Sequence, residues 1–232
     1  MNYFVTGTDT GVGKTLISCA LLHGFAAQGK RVVGMKPVAA GWDEDGQNAD
    51  AGVNEDVSQL RASSNILAAL GQINPYNFPH PVAPHIAARA AGVHIELARI
   101  LASYHELAAQ ADVVIVEGVG GFKVPLNELQ DSDELAQQLN LPVILVVGMR
   151  LGCLNHALLT ASAIEACGLV CAGWVANVLD GGMPALAENI EALQQRLAAP
   201  LLGTVHFQSQ PDASVVAAQL NIELLGEIKS DA

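Results

Sequence analysis

The stretch Val5-Thr6-Gly7-Thr8-Asp9-Thr10-Gly11-Val12-Gly13-Lys14-Thr15 constrains this chain more than any other. A short apolar run at 3–5 feeds a glycine-rich turn ending in Gly-Lys-Thr, and an apolar-periodic segment at 16–25 follows at once. Strand, glycine-rich turn and helix, in that order, are the context of a phosphate-binding loop. The glycines let the backbone approach an anion closely, so the N–H groups of Asp9, Thr10, Gly11, Val12 and Gly13 can turn towards it. The helix beginning near Lys14 adds the positive end of its dipole. In such a loop Lys14 reaches the β- and γ-phosphates and the Thr15 hydroxyl ligates Mg²⁺. Thr8 stands where the general motif has glycine, and Gly7 falls one residue early. A dinucleotide fingerprint fits less well, because Gly11-Val12-Gly13 would need a third glycine where Leu16 stands. The plainer alternative is a strand-to-helix turn with an incidental Lys-Thr. Binding of a nucleoside triphosphate is the expectation.

Further apolar runs at 32–35, 112–117, 141–147, 171–176 and 201–205 read as strands, and 97–107 and 186–197 as helices, with another helix ending at Cys167. Strands that are apolar throughout and alternate with helices argue a mostly parallel sheet covered on both faces. The expected fold is therefore α/β, a three-layer architecture of the P-loop NTPase kind. A length of 232 residues suits one such domain, 1–232, better than two small ones. Hydrophobic residues make up 51% of the chain but aromatics only 4%, so Ala, Val, Leu and Ile must fill the core.

Ligands of open α/β sheets bind outside the carboxyl ends of the strands. Lys36-Pro37-Val38-Ala39-Ala40-Gly41 follows the second strand there. Glu117 closes a buried strand before Gly118-Val119-Gly120-Gly121, where a P-loop protein is expected to keep a Mg²⁺-linked acid. Asp43, Glu44, Asp45 and Asp50 sit in a polar loop and read as solvated charge. Asn54-Glu55-Asp56 reads as a helix start capped by Asn54. The proline-dense segment 74–85 is excluded from central strands and helix interiors. It is either a rigid loop or, through its aromatics and two histidines, a wall of a substrate pocket.

A formal net charge of −12 argues against nucleic acid as the main partner. Cys19, Cys153, Cys167 and Cys171 form no C-x-x-C pair and read as small thiols in a reducing cytosol. The N-terminus lacks a basic region, and no apolar run approaches the ~20 residues of a membrane span. A cytoplasmic protein without membrane partners is expected.

Eight motifs occurring in one order carry a resemblance. They are Thr6-Gly7-Thr8-Asp9-Thr10 with Gly13-Lys14-Thr15, Lys36-Pro37-Val38, Asn54-x-Asp56, Asn74-Pro75-Tyr76-x-Phe78, Pro84-His85, Val116-Glu117-Gly118-x-Gly120-Gly121, Leu151-Gly152-Cys153-x-Asn155-His156 and Gly173-Trp174-Val175-Ala176-Asn177. From residue 3 to about residue 203 the chain resembles the dethiobiotin synthetases, in which Thr8 is a family trait. The resemblance implies that 7,8-diaminononanoate, a diamine, takes up CO₂ or bicarbonate carbon as a carbamate, that ATP phosphorylates it, and that the second amine closes a cyclic urea. It implies a Mg²⁺ set of Thr15, Asp56 and Glu117, with Lys14 and Lys36 as the catalytic cations. Glu117, Gly118, Gly120, Asn177 and His206 would join the P-loop around the nucleotide, with Asn177 against adenine. Lys36, Ala40, Gly152, Cys153, Leu154 and Asn155 would meet the substrate, the last four across a homodimer interface. Ala40 replaces a usual serine, Asn189 falls near a position that is aromatic in some members, and His206 stands where proline is common.

Two other classes fit less well. Partition or division-site ATPases carry a signature lysine where this loop has Asp9, and they need a basic surface or tail; residues 220–232 hold one Lys among acids. Amide ligases acting on corrin-like carboxylates need a glutaminase unit, for which no sequence remains.

Overall fold

The computed structural model describes residues 1–42 and 52–226. The solvated-charge reading of Asp43, Glu44, Asp45 and Asp50 falls outside them. The chain starts with β1 (Asn2–Gly7), α1 (Lys14–Ala27), β2 (Val32–Met35) and the short β3 (Val38–Ala40). Then come α2 (Glu55–Ser63), α3 (Leu70–Ile73), β4 (Tyr76–Phe78), α4 (Pro84–Ala90) and α5 (Leu97–Ala108). Regular alternation follows: β5 (Val113–Glu117), α6 (Ser132–Leu139), β6 (Val143–Met149), α7 (Cys153–Ala166), β7 (Cys171–Val178), α8 (Leu186–Gln194), β8 (Leu201–Val205) and α9 (Ala213–Ala217). A 3-10 turn at Ile222–Gly226 closes the described chain.

Six strands form one parallel sheet in the order β2-β5-β1-β6-β7-β8. The strand runs are apolar throughout because both faces are covered. Tyr3, Val5, Ile115, Ile144 and Val146 point to the side of α1 and α9. Phe4, Val114 and Val116 pack with α5 and α6, while Leu145, Val147 and Trp174 pack with α7 and α8. Helix α1 is apolar on nearly every side because it lies on the sheet and is flanked by α2 and α9, which pack on the sheet themselves. Burying Ile17, Leu21, Leu22 and Phe25 contributes about 1.5–3 kcal/mol each.

β1 sits between β5 and β6, so the chain leaves it towards one edge of the sheet and later returns on its other side. The crevice above such a reversal lies beside Gly7, Glu117 and Met149, the carboxyl ends of adjacent strands. The proline-dense segment stays out of the main sheet, as its composition requires. It supplies β4, which pairs in parallel with β3 in a two-stranded sheet, and Pro84 then opens α4 at a position where a missing N–H costs nothing.

Candidate active site

The loop between β1 and α1 wraps a cleft of about 850 Å³ at the carboxyl edge of the sheet. Gly13 has φ of 88°, a left-handed conformation that glycine adopts without penalty, and it serves as the N-cap of α1 with no capping side chain. The first N–H groups of the helix are therefore free for an anion. Lys14 Nζ donates to the Asp9 carbonyl at 3.0 Å, folding the lysine back over the loop. The Asp9 carboxylate accepts from the Thr10 N–H at 2.7 Å and from the Arg150 guanidinium beyond β6. Burial, then repulsion from Lys36, lowers Lys14 to about 8 despite the surrounding carboxylates.

Opposite the loop, four groups meet. The Thr15 hydroxyl donates to Glu117 Oε1 at 2.9 Å, and Lys36 Nζ donates to the same oxygen at 2.5 Å and to Asp56 Oδ2 at 2.8 Å. Glu117 is wholly buried and Lys36 is 4% exposed. Burial opposes the ammonium of Lys36, but the Glu117 and Asp56 carboxylates outweigh it and raise its pKa. Burial likewise opposes ionisation of Asp56, yet Lys36, with Thr15 and Lys14, holds its carboxyl below the ordinary value. The charges are thus mutually supporting, which is the condition for keeping ionic groups away from water.

Local structure explains each placement. Glu117 ends β5 directly beside Val5 of β1. Asp56 is held in the first turn of α2 by the Asn54 cap, whose carbonyl oxygen accepts the Asp56 N–H at 3.0 Å while its amide donates to the Gly41 carbonyl. Lys36 is fixed through its backbone, donating to Ile73 O at 2.9 Å and accepting from Asn74 Nδ2 at 2.6 Å. Sequence reasoning misses Arg150 and Asn74 as supporting residues. Asn74 lies within one of the eight motifs, and Arg150 directly precedes another, but neither has a sequence signal that reveals its partner.

The oxygens of Thr15, Asp56 and Glu117 form a hard donor set suited to Mg²⁺. Glu117 Oε2 is buried and accepts no hydrogen bond from any described residue, an orphan that a cation or its water would satisfy. The residues present therefore fit the metal.

The same cleft is lined by Asp9, Thr10, Gly11, Gly13 and Gly120, and by Ala40 on its outer wall with Pro81 and Pro84. Other expected residues stand apart from it. Val12 turns its side chain into the core, and its carbonyl accepts from Asn177 Nδ2 at 2.8 Å. Asn177, at the end of β7, thus lies directly against the loop. Gly118 packs over Phe4 and donates its N–H to Val5 O at 2.9 Å. His206 is exposed just beyond β8, its N–H donating to Gln219 Oε1 at 3.2 Å. Gly152, Cys153, Leu154 and Asn155 start α7 outside the cleft, with Cys153 buried and Asn155 exposed.

A glycine-rich loop at the switch point of a parallel sheet, facing a carboxylate–ammonium cluster, defines a P-loop nucleotide-binding α/β protein. The chain matches the AAA domain family over residues 1–214. It is 54% identical to the ATP-dependent dethiobiotin synthetase BioD of Nitrosospira multiformis over 97% of its own length and 96% of that protein. Its identity to the same-named protein of Aromatoleum aromaticum is also 54%, over 95% and 96% of the two chains. The chain belongs to the ATP-dependent dethiobiotin synthetase family. Among solved structures it is similar to the MinD cell division protein of Aquifex aeolicus, with 15% identity, 98% of each chain covered and a TM-score of 0.58. A ParA family ATPase of Chlorobium tepidum matches at 13% identity over 98% of this chain and 92% of the other, with a TM-score of 0.55. These two likenesses concern the fold alone.

Proposed function

We propose that this ATP-dependent ligase converts 7,8-diaminononanoate, CO₂ and ATP into dethiobiotin, ADP and phosphate. The observation that carries this reading is the joining of Thr15, Lys36, Asp56 and Glu117 in one cleft with the P-loop. One amine of the substrate forms an N–C bond to CO₂ and loses a proton, giving a carbamate. A carbamate oxygen takes the γ-phosphoryl group as the bond to ADP breaks. The second amine then attacks the carbamoyl carbon and gives up a proton as the C–O bond to phosphate breaks, which closes the ureido ring. The carbamate is a weak nucleophile with a poor leaving group, so phosphorylation supplies the driving force and the protein supplies position and charge.

Lys14 and the free N–H groups of the P-loop serve the β- and γ-phosphates. Lys36 holds the carbamate in line with the γ-phosphate. Thr15, Asp56 and Glu117 would hold Mg²⁺, which supplies charge neutralisation at the phosphates when bound. Asn177 and His206, at the ends of neighbouring strands, would border the base, with Gly118 and Gly120 on the turn beside the phosphates. Gly152, Cys153, Leu154 and Asn155 would receive the substrate carboxylate in the cleft of a second copy. A homodimer would bring them against the second copy, and Leu151 beside them is 99% exposed. The protein is proposed to act as a single cytoplasmic domain; among the described residues no helix is long and apolar enough to cross a membrane.

The test is product identification by mass spectrometry with the diamine, labelled bicarbonate, Mg²⁺ and ATP. Ring product retaining the label and matching phosphate release one for one is expected. A monoamine analogue should give ATP hydrolysis without a ring. Equal coupling with the diamine and with the monoamine analogue, or product without label, overturns the reading. Glu117→Gln keeps the shape but removes the charge and should slow turnover on the order of 100-fold or more.

A further inference from the structure

We infer that Lys36 is the resident cation of the metal site in the nucleotide-free protein, and that a divalent ion enters only by displacing it. The inference rests on the metal set proposed above. Lys36 Nζ lies 2.5 Å from Glu117 Oε1 and 2.8 Å from Asp56 Oδ2, and the Thr15 hydroxyl donates to the same Glu117 oxygen at 2.9 Å. Two of the three groups assigned to the metal, Glu117 and Asp56, therefore already bracket a positive charge, and the third, Thr15, donates to one of the same oxygens. An unpaired carboxylate buried as fully as Glu117 is strongly disfavoured, so some cation must stand there whether or not nucleotide is bound. Glu117 Oε2 remains open, but a divalent ion drawn to it would stand beside the ammonium held on Oε1 of the same carboxylate and on Asp56, and the two cations repel one another.

The exchange needs only a side-chain movement. Ile73 O and Asn74 Nδ2 anchor the Lys36 backbone, whereas the flexible four-carbon stem ends on the wall of the cleft. Mg²⁺ alone must compete with a contact that is covalently tethered in place. Mg²⁺ that arrives with a triphosphate brings phosphate oxygens as further ligands, and the same phosphates give the released ammonium a new anionic partner. Metal entry and delivery of Lys36 to the reacting groups are thus one linked event, and each must strengthen the other. The protein would then avoid holding a free divalent ion and would load it as the nucleotide complex.

Mn²⁺ binding to the nucleotide-free protein, read by electron paramagnetic resonance, tests the exchange without reference to activity. Lys36→Met keeps the length and removes the charge. It should bind Mn²⁺ on the order of 10-fold more tightly than wild type or better, because the competent form is no longer a minor population. Unchanged or weaker binding overturns the inference. If that variant fails to fold, the wild type suffices: ¹⁵N-lysine spectra follow the side-chain ammonium groups. The Lys36 signal should hold its position with a non-hydrolysable ATP analogue in chelator and move when Mg²⁺ is added. No movement on adding Mg²⁺, or the full movement with metal-free analogue, overturns it. Dethiobiotin formation by the wild type is read separately, so the exchange can fail while the proposed activity stands.

Discussion

Two helix starts in this molecule share one local design and differ in almost everything around it. Helices α1 and α7 each span 14 residues, follow a strand of the main sheet, and begin after a left-handed glycine, Gly13 at φ 88° or Gly152 at φ 95°. Neither has a capping side chain or an acid in its first turn, so both present free N–H groups, although at α7 the Cys153 N–H is already donated to Arg150 O at 3.0 Å. Around α1 the loop is tied down: Asn177 holds Val12, Arg150 holds Asp9, and Lys14 and Lys36 add charge. Around α7 only Cys153, Ala157 and Ile164 of the helix are buried, and Leu151 and Leu159 face solvent. A helix dipole offers an anion about 0.3–1 kcal/mol at an exposed site, so the α7 start by itself would be a weak and unselective anion site, and the proposed second copy would have to supply its walls.

Alanine at the two glycines should break the symmetry most visibly. In Gly13→Ala the new Cβ would meet Asn177 Nδ2 at 2.2 Å in a backbone conformation that already penalises it. ATP affinity should fall on the order of 100-fold as the loop shifts, about 3 kcal/mol of lost contacts, measurable by isothermal titration. Asn155→Asp should act next. An anion at the α7 start should raise the KM for the diamine by about 5-fold, since the substrate carboxylate competes for the same dipole. Its KM for ATP should not change; a matched rise in both would place the α7 start at the nucleotide instead. Gly152→Ala should disturb ligand binding least, because a Cβ there meets nothing within 4 Å. Only backbone strain remains, about 1–2 kcal/mol of stability in a denaturant titration, with ATP affinity intact. Equal losses of ATP affinity in both alanine variants would erase the distinction drawn between the two helices.

Much of the sheet is legible in the amino-acid sequence, and for a physical reason. A central parallel strand is buried on both faces, so runs such as Val113 to Val116 carry no polar interruption. Ends move by a residue or two, as where β6 begins at Val143 rather than Leu141. The short elements escape notice. β3 and β4 have three residues each, too few for a period, and Asn77 interrupts the second. Helix α6 does leave a signal in Asp131 and Glu134, which form a reciprocal capping box, but its few apolar positions hide it. At the site, Thr15, Lys36, Asp56 and Glu117 are each readable from a motif. That Lys36 lies on the same carboxylate oxygen as Thr15 is not, because strand order brings together residues 81 and 102 positions apart. The Asn177 contact with Val12 spans 165 positions and is equally hidden.

That strand order also sets a timetable. β1 leaves the ribosome well before its partners, because Phe4 pairs with Val116 of β5 on one side and with Val143 of β6 on the other. At about 5–20 residues per second, the nascent chain carries Tyr3, Phe4 and Val5 for roughly 7–28 s before β6 is made. Until then the strand destined for the middle of the sheet is at best an edge, and the P-loop behind it has neither Arg150 nor Asn177 to hold its shape. ATP therefore cannot act as a folding template for the first half of the chain. The P-loop is made before the strands that hold its shape and becomes competent only after them, which gives chaperones reason to shield the unpaired β1.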